Sequence, residues 1–252
     1  MKNLITFLDT PANSHAKESI LMHRLFLDVK TSAARHGYYL NTYFDTVDHD
    51  GFDVIFDDQD NLIKTQLKSV RSDAKTRQWK IRKSVMRPAL EVAEDLGFEF
   101  SPEGVGVGGG ALLMRYGEEN NEIVAQYYYT DAYIMSAFQC NLIQYNHSAS
   151  KKAIQSCLTK LHQDSGSGML TVPKPAFLKV KDTDSLLALM QLHGPISSSW
   201  SENLVALSSY INGHRKLDDL PSPPTKLREH IWNEIVMLID QRKLTHGAFD
   251  QD

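Results

Sequence analysis

The chain has 252 residues, 42% of them hydrophobic and 23% charged, which is enough to bury one large core or two small ones. Its two cysteines, Cys140 and Cys157, have neither disulfide-framework nor metal-ligand spacing, and no run approaches the roughly 20 apolar residues of a bilayer-crossing helix. The formal charge of −4 excludes no polyanionic partner, because basic residues bind phosphates when clustered. The expected setting is soluble, reducing and cytoplasmic, with no membrane partner.

Pro11, Asn13 and Ser14 mark the end of a loop, and from Ser14 to about His36 the pattern is helical. Leu21, Met22, Leu25, Val29 and Ala33 recur at three- and four-residue steps as one apolar stripe. Glu18 stands at the start of that stripe, where a carboxylate is either at the rim of the core, complementing the helix dipole, or aimed into a site. Gly37 closes the helix, and GYYLNTYF reads as a strand.

Gly51–Val70 reads as a hairpin: apolar runs at Phe52–Phe56 and Leu62–Val70 flank an Asp/Gln/Asn-rich turn. Alternation puts Asp53 and Ile55 on one face of the first strand, and Gln66 and Lys68 together on one face of the second. An isolated carboxylate or ammonium in an apolar strand is costly unless compensated. Pairing of Asp53 with Lys68 is one compensation, and a bound cation is another.

Charge changes sign across this hairpin. From Asn41 to Asp60 the charged residues are all acidic: Asp45, Asp48, Asp50, Asp53, Asp57, Asp58 and Asp60. From Lys64 to Arg87 they are basic except for Asp73: Lys64, Lys68, Arg71, Lys75, Arg77, Lys80, Arg82, Lys83 and Arg87. Oxygen ligands suit a hard divalent cation, and a basic tract suits a phosphate backbone.

The order of these elements and the residues they carry resemble the PD-(D/E)XK, or restriction-endonuclease-like, nuclease superfamily in its Q-x-K variant. The resemblance covers roughly residues 14–96: a first helix with Glu18, a strand with GFD at Asp53, and a strand with Gln66-Leu67-Lys68, followed by a basic helix. It implies an α/β core with a central mixed β-sheet flanked by helices. It also implies Mg2+ or Mn2+ held by Asp53, Gln66 and Glu18, with Lys68 orienting or activating water. Phe52 stands where the family usually has proline, and Gln66 brings an oxygen without charge, so metal binding weaker than with glutamate is expected. The implied activity is metal-dependent phosphodiester hydrolysis, DNA favoured, in a bacterial or phage-related defence or restriction effector acting as a homodimer or with a partner protein. Arg71, Lys75, Arg77, Lys80, Arg82 and Lys83 are the expected nucleic-acid contacts. The alternative is a catalytically inactive nucleic-acid-binding or partner-binding module on the same fold.

Gln78–Leu96 reads as a helix bent at Pro88. GVGVGGG at 104–110 lacks the features of a phosphate loop and reads as a flexible connection. Ala111–Tyr116 and Glu122–Thr130 read as paired strands, with the tyrosines at 127–129 packing on the sheet. Beyond His147 the texture becomes mostly helical, giving a nuclease core over 1–147 and a recognition, dimerisation or partner-binding subdomain over 148–252. Helices are expected at Ser148–His162, Ser185–Leu192, Glu202–Ile211 and Lys226–Leu244, the third opened by a Ser199-x-x-Glu202 capping box. His230 and Glu234 lie four apart on the last helix, a spacing at which two side chains could share a metal; two ligands make no site, and a surface pair is the expected reading.

Overall fold

A computed structural model of the chain describes residues 4–44, 51–99, 105–145, 147–163, 168–193, 199–240 and, for the backbone, 244–246. The aspartates at 45, 48 and 50 and the glycine at 104 lie outside the described residues. The chain opens with α1 (Leu4–Asp9) and α2 (Ser14–Arg35), followed by the strands β1 (Asn41–Phe44), β2 (Val54–Asp57), β3 (Leu62–Arg71) and β4 (Gln78–Arg82). Two single-turn helices, α3 (Lys83–Met86) and α4 (Leu90–Ala93), lead to β5 (Gly110–Glu119) and β6 (Glu122–Asp131). Next come α5 (Ala132–Gln139), β7 (Ile143–Tyr145), α6 (Ser148–His162), β8 (Met169–Pro173) and β9 (Leu178–Lys179). The last elements are α7 (Thr183–Leu189), α8 (Trp200–Ile211), α9 (Pro224–Leu238) and β10 (Leu244–His246).

The central sheet is mixed and six-stranded, in the order β1-β2-β3-β5-β6-β9. β1, β2 and β3 form an antiparallel meander, and the chain then crosses over to lay β5 parallel to β3, from Thr65 opposite Gly110 to Arg71 opposite Tyr116. β6 returns antiparallel through a two-residue turn in which Asn120 and Asn121 both take positive φ, the backbone that matches strand twist in tight hairpins. The expected α/β class with a mixed sheet between helices is what the structure shows.

The stripe on α2 behaves as read: Leu21, Leu25, Val29 and Ala33 are buried, each apolar burial contributing about 1.5–3 kcal/mol for the larger side chains. The C-terminal residues do not build a separate core. β8 pairs with β4, β9 extends the main sheet beside β6, and Leu187, Trp200, Leu207 and Ile231 belong to the same apolar cluster as Leu25 and Leu112. Described residues on both sides of His147 thus share one apolar cluster.

The helix expected over Gln78–Leu96 is corrected at its start. Gln78–Arg82 is a strand, with Trp79 and Ile81 turned inward and Gln78 and Lys80 exposed, paired with a segment some ninety residues later. Three-residue spacing of apolar groups cannot reveal such a partner, and the alternation in QWKIR was the signal to weigh. α3 stops at Met86 because Pro88 disfavours helical backbone in the residue before it. The last helix ends at Leu238 rather than Leu244.

The glycine run is corrected too. Gly106, Val107 and Gly108 donate their N–H groups to Pro88, Ser84 and Arg87 carbonyls. A Cβ on Gly106 would lie 2.2 Å from the Ser84 carbonyl oxygen, and one on Gly109 would lie 2.1 Å from that of Lys64. These glycines serve close backbone approach to α3 and β3, so the segment is anchored there and not a flexible connection.

Candidate functional site

The expected site is built at the point where β2 begins. Val54 is paired with Thr65, yet the Asp53 N–H also donates to the Thr65 carbonyl at 2.9 Å, the two-against-one pattern of a β-bulge. Asp53 therefore immediately precedes the strand, and burial alternates from Asp53 to Phe56 as expected, half-buried at Asp53 and Ile55 and buried at Val54 and Phe56. Its carboxylate accepts the Leu67 N–H at 2.6 Å. That bond takes the place of the next rung of the ladder and fixes a half-buried carboxylate beside the stretch Gln66-Leu67-Lys68.

Gln66 is buried, 5% exposed, and its Oε1 accepts the Arg82 N–H at 2.9 Å, at the junction of β4 and α3. An amide oxygen has a second lone pair, so this bond leaves it able to contact one more donor or cation. Replacing Gln66 with leucine is expected to leave the Arg82 N–H unsatisfied and to destabilise the fold by about 1–3 kcal/mol, measured by chemical denaturation. Lys68 is half-buried, shares Gln66's face by strand alternation, and makes no hydrogen bond or ion pair with other described residues.

Glu18 is not brought to this group. Lys17 Nζ lies 5.1 Å from the centre of the Tyr116 ring, and the Tyr127 hydroxyl donates to Asp28 at 2.7 Å. In the sheet register Lys68 is opposite Leu113, three residues from Tyr116, while Tyr127 is opposite Met114. Both tyrosines thus project from the face opposite Lys68, and α2 with the exposed Glu18 covers that opposite face. The helical stripe put Glu18 in line with buried positions, whereas the residue is exposed. It carried no information about which side of the sheet the helix would cover.

The basic tract divides into structural and available members. Arg71 is paired with Asp9 at 2.6 Å and with Asp73. Lys83 is 8% exposed and donates to the Gln163 carbonyl at 3.2 Å. Arg87 is 1% exposed and donates from Nε and Nη2 to the Leu161 carbonyl and from Nη2 to that of Gln163. Both cations sit at the C-terminal end of α6, where the helix dipole favours positive charge. Arg82 lies against Gly51 so closely that a Cβ there would be 2.0 Å from its Cδ, and Lys64 stands over the Phe52 ring at 5.2 Å. Lys75, Arg77 and Lys80 remain exposed, before and on the outward face of β4.

Comparison with protein families, curated proteins and solved structures gives no match. The site therefore rests on its own residues. Among the described residues no three His, Cys, Asp or Glu side chains gather as metal ligands. The acidic turn is self-contained: Asp57 accepts the Gln59 N–H, and Asp58 accepts those of Asp60 and Asn61. Asp58 also receives the His193 N–H, tying the turn to the segment after α7. A groove of about 690 Å3 lies away from the hairpin between α2, β6 and α9; of the charged residues lining it, Arg24 pairs with Asp28 at 3.0 Å and Lys179 with Asp240 at 3.1 Å.

Two features escaped the sequence. Asp131 caps α5 by accepting the Ile134 N–H at 2.8 Å and is 3% exposed, and burial pushes its carboxyl up to about 7. Asp at a helix start, just after a strand, was the available signal. The Ser199 capping box does not form. Its hydroxyl donates instead to Glu234 Oε1 at 3.2 Å, beside His230 Nε2, also at 3.2 Å.

Proposed function

We propose that this chain is a divalent-metal-dependent nuclease of the PD-(D/E)XK kind, acting on DNA in preference to RNA. The observation that carries the reading is the Asp53 carboxylate bonded to the Leu67 N–H, between Gln66 and Lys68, at the end of a meander followed by a parallel fourth strand. Mg2+ needs few protein ligands, commonly one or two carboxylates with water and substrate phosphate completing its shell. Asp53 together with the second lone pair of Gln66 Oε1 would supply such ligands without Glu18. When bound, such an ion supplies Lewis-acid stabilisation of the phosphate and a more acidic water. Asp53 holds its position through the Leu67 N–H. Lys68 places positive charge on the face where phosphate oxygens gain charge in the transition state.

The polyanion would be held by Lys75, Arg77 and Lys80, which have no structural duty of the kind that occupies Lys83 and Arg87. Removing each phosphate contact is expected to lower the slope of log K against log salt by roughly 0.7–0.9. Charge-removing substitutions at these three positions, followed by binding titrations at several salt concentrations, test this; an unchanged slope would place the nucleic-acid surface elsewhere.

The deciding experiment incubates the full chain with DNA and RNA under Mg2+ and Mn2+. Cleavage that is lost in Asp53→Ala and Lys68→Ala supports the proposal; cleavage that survives both defeats the assignment of the site. A second reading, a nucleic-acid-binding module without catalysis, is favoured by the engagement of Gln66 Oε1 with Arg82. It is supported if DNA binding is indifferent to metal and to Asp53.

A further inference from the structure

We propose that Ser199, His230 and Glu234, with Asn203, form a binding site for a divalent transition-metal ion of the Zn2+ or Co2+ class, separate from the hairpin. His230 and Glu234 lie one turn apart on α9, the spacing that lets two side chains of a helix chelate one ion. Ser199, at the start of α8, supplies a third donor from a different element. Their donor atoms form a nearly equilateral triangle: Ser199 Oγ to His230 Nε2 is 3.2 Å, Ser199 Oγ to Glu234 Oε1 is 3.2 Å, and His230 Nε2 to Glu234 Oε1 is 3.1 Å. Ligands held about 2.0–2.1 Å from a tetrahedral ion are separated by roughly 3.3 Å, so little rearrangement is required.

Two further observations favour an ion over a simple hydrogen-bonded staple. Glu234 Oε2 is buried with no hydrogen-bond partner among the described residues, and an ion approaching the carboxylate edge-on would contact both of its oxygens. Asn203 Nδ2 lies 3.2 Å from Ser199 Oγ; turning the amide over, an orientation set only by the hydrogen-bond network, presents Oδ1 as a fourth donor. His230 and Asn203 also line an open groove of about 410 Å3, which gives an ion and its waters a way in. The positive end of α8 opposes a cation, and Glu234 with Glu202 in the first turn of that helix counters it. A serine-nucleophile triad fits less well, because the carboxylate meets the same imidazole nitrogen as the serine and leaves Nδ1 unsupported.

The test titrates the full chain with Co2+, reading the visible ligand-field absorption, and with Zn2+ by calorimetry, both in excess Mg2+. One ion per chain is expected. His230→Ala and Glu234→Gln should each weaken binding at least about tenfold, the lower bound for losing even an outer partner of a metal site. Asp53→Ala should leave it unchanged. Glu234→Gln keeps the size and hydrogen-bonding reach of the side chain, so its loss of binding is not a loss of fold. Failure to saturate at one equivalent, or saturation unaffected by both substitutions, overturns the proposal and leaves the cluster as a clasp between α8 and α9.

Discussion

Replacing Arg87 with methionine is expected to destabilise the fold by about 2–5 kcal/mol, read as a lower midpoint in chemical denaturation with little change in slope. Methionine fills much of the same space, so the cost comes from polarity. The Leu161 carbonyl at the end of α6 loses two hydrogen bonds from a cation and is left without that donor inside the core, at a cost of about 1–3 kcal/mol, while the Gln163 carbonyl loses one and keeps that from Lys83. The guanidinium also brings α3 to α6, joining the segment after β4 to the C-terminal part of the core. Arg87→Lys keeps the charge but cannot reach two carbonyls in a fixed fork, and should fall between the two.

The same substitution separates structural from ligand-facing cations. Nucleic-acid affinity per folded molecule should survive Arg87→Met, whereas exchanging Lys80 for alanine should weaken binding and leave stability within about 0.5 kcal/mol. A loss of affinity in Arg87→Met at full folding would show that the buried arginine is reached by the polyanion, and the division of the basic tract drawn above would fail.

How much of this was legible depends on the distance over which each signal acts. The α2 stripe, the β2–β3 turn chemistry and the β5–β6 hairpin are local, and they read correctly from residues within one turn or rung of each other. Gln78–Arg82 was misread because its partner, Met169–Pro173, is remote in sequence. Glu18 was legible as a residue at the core's rim and illegible as a contributor to the hairpin, since only the packed helix reveals which sheet face it covers. The duties of Lys83 and Arg87 were hidden for the same reason: a run of basic residues looks uniform until the carbonyls at the end of α6 single out two of them. Asp53 falls between these cases. Its place beside Gln66 and Lys68 followed from the hairpin, and the bulge that turns its carboxylate to the Leu67 N–H did not.

Exchanging Asp131 for asparagine is expected to remove a pH dependence of stability worth up to about 4 kcal/mol between pH 4 and 8, since one unit of pKa corresponds to about 1.4 kcal/mol. In the unfolded chain this carboxyl titrates at 3.8; in the fold, desolvation raises it to about 7, against the opposing hydrogen bonds from Ile134 and Tyr129. Between those values the folded state retains a proton that the unfolded state has released, so stability falls as pH rises. The contribution is fully present below about pH 4 and is lost as pH passes through 7. Asparagine keeps the oxygen that caps α5 and has no charge to desolvate, so the difference between wild type and Asp131→Asn isolates this group from other titrations. A flat difference across that range would mean that Asp131 is ionised throughout. The consequence reaches the site, because Asp131 is opposite Gly110, and Gly110 is opposite Thr65 at the start of the Gln66–Lys68 stretch. A break near pH 7 in any cleavage profile must therefore be compared with Asp131→Asn before it is assigned to Lys68 or to a metal-bound water. If the break persists in that variant it belongs to the chemistry, and if it vanishes it reports the strand platform on which the chemistry stands.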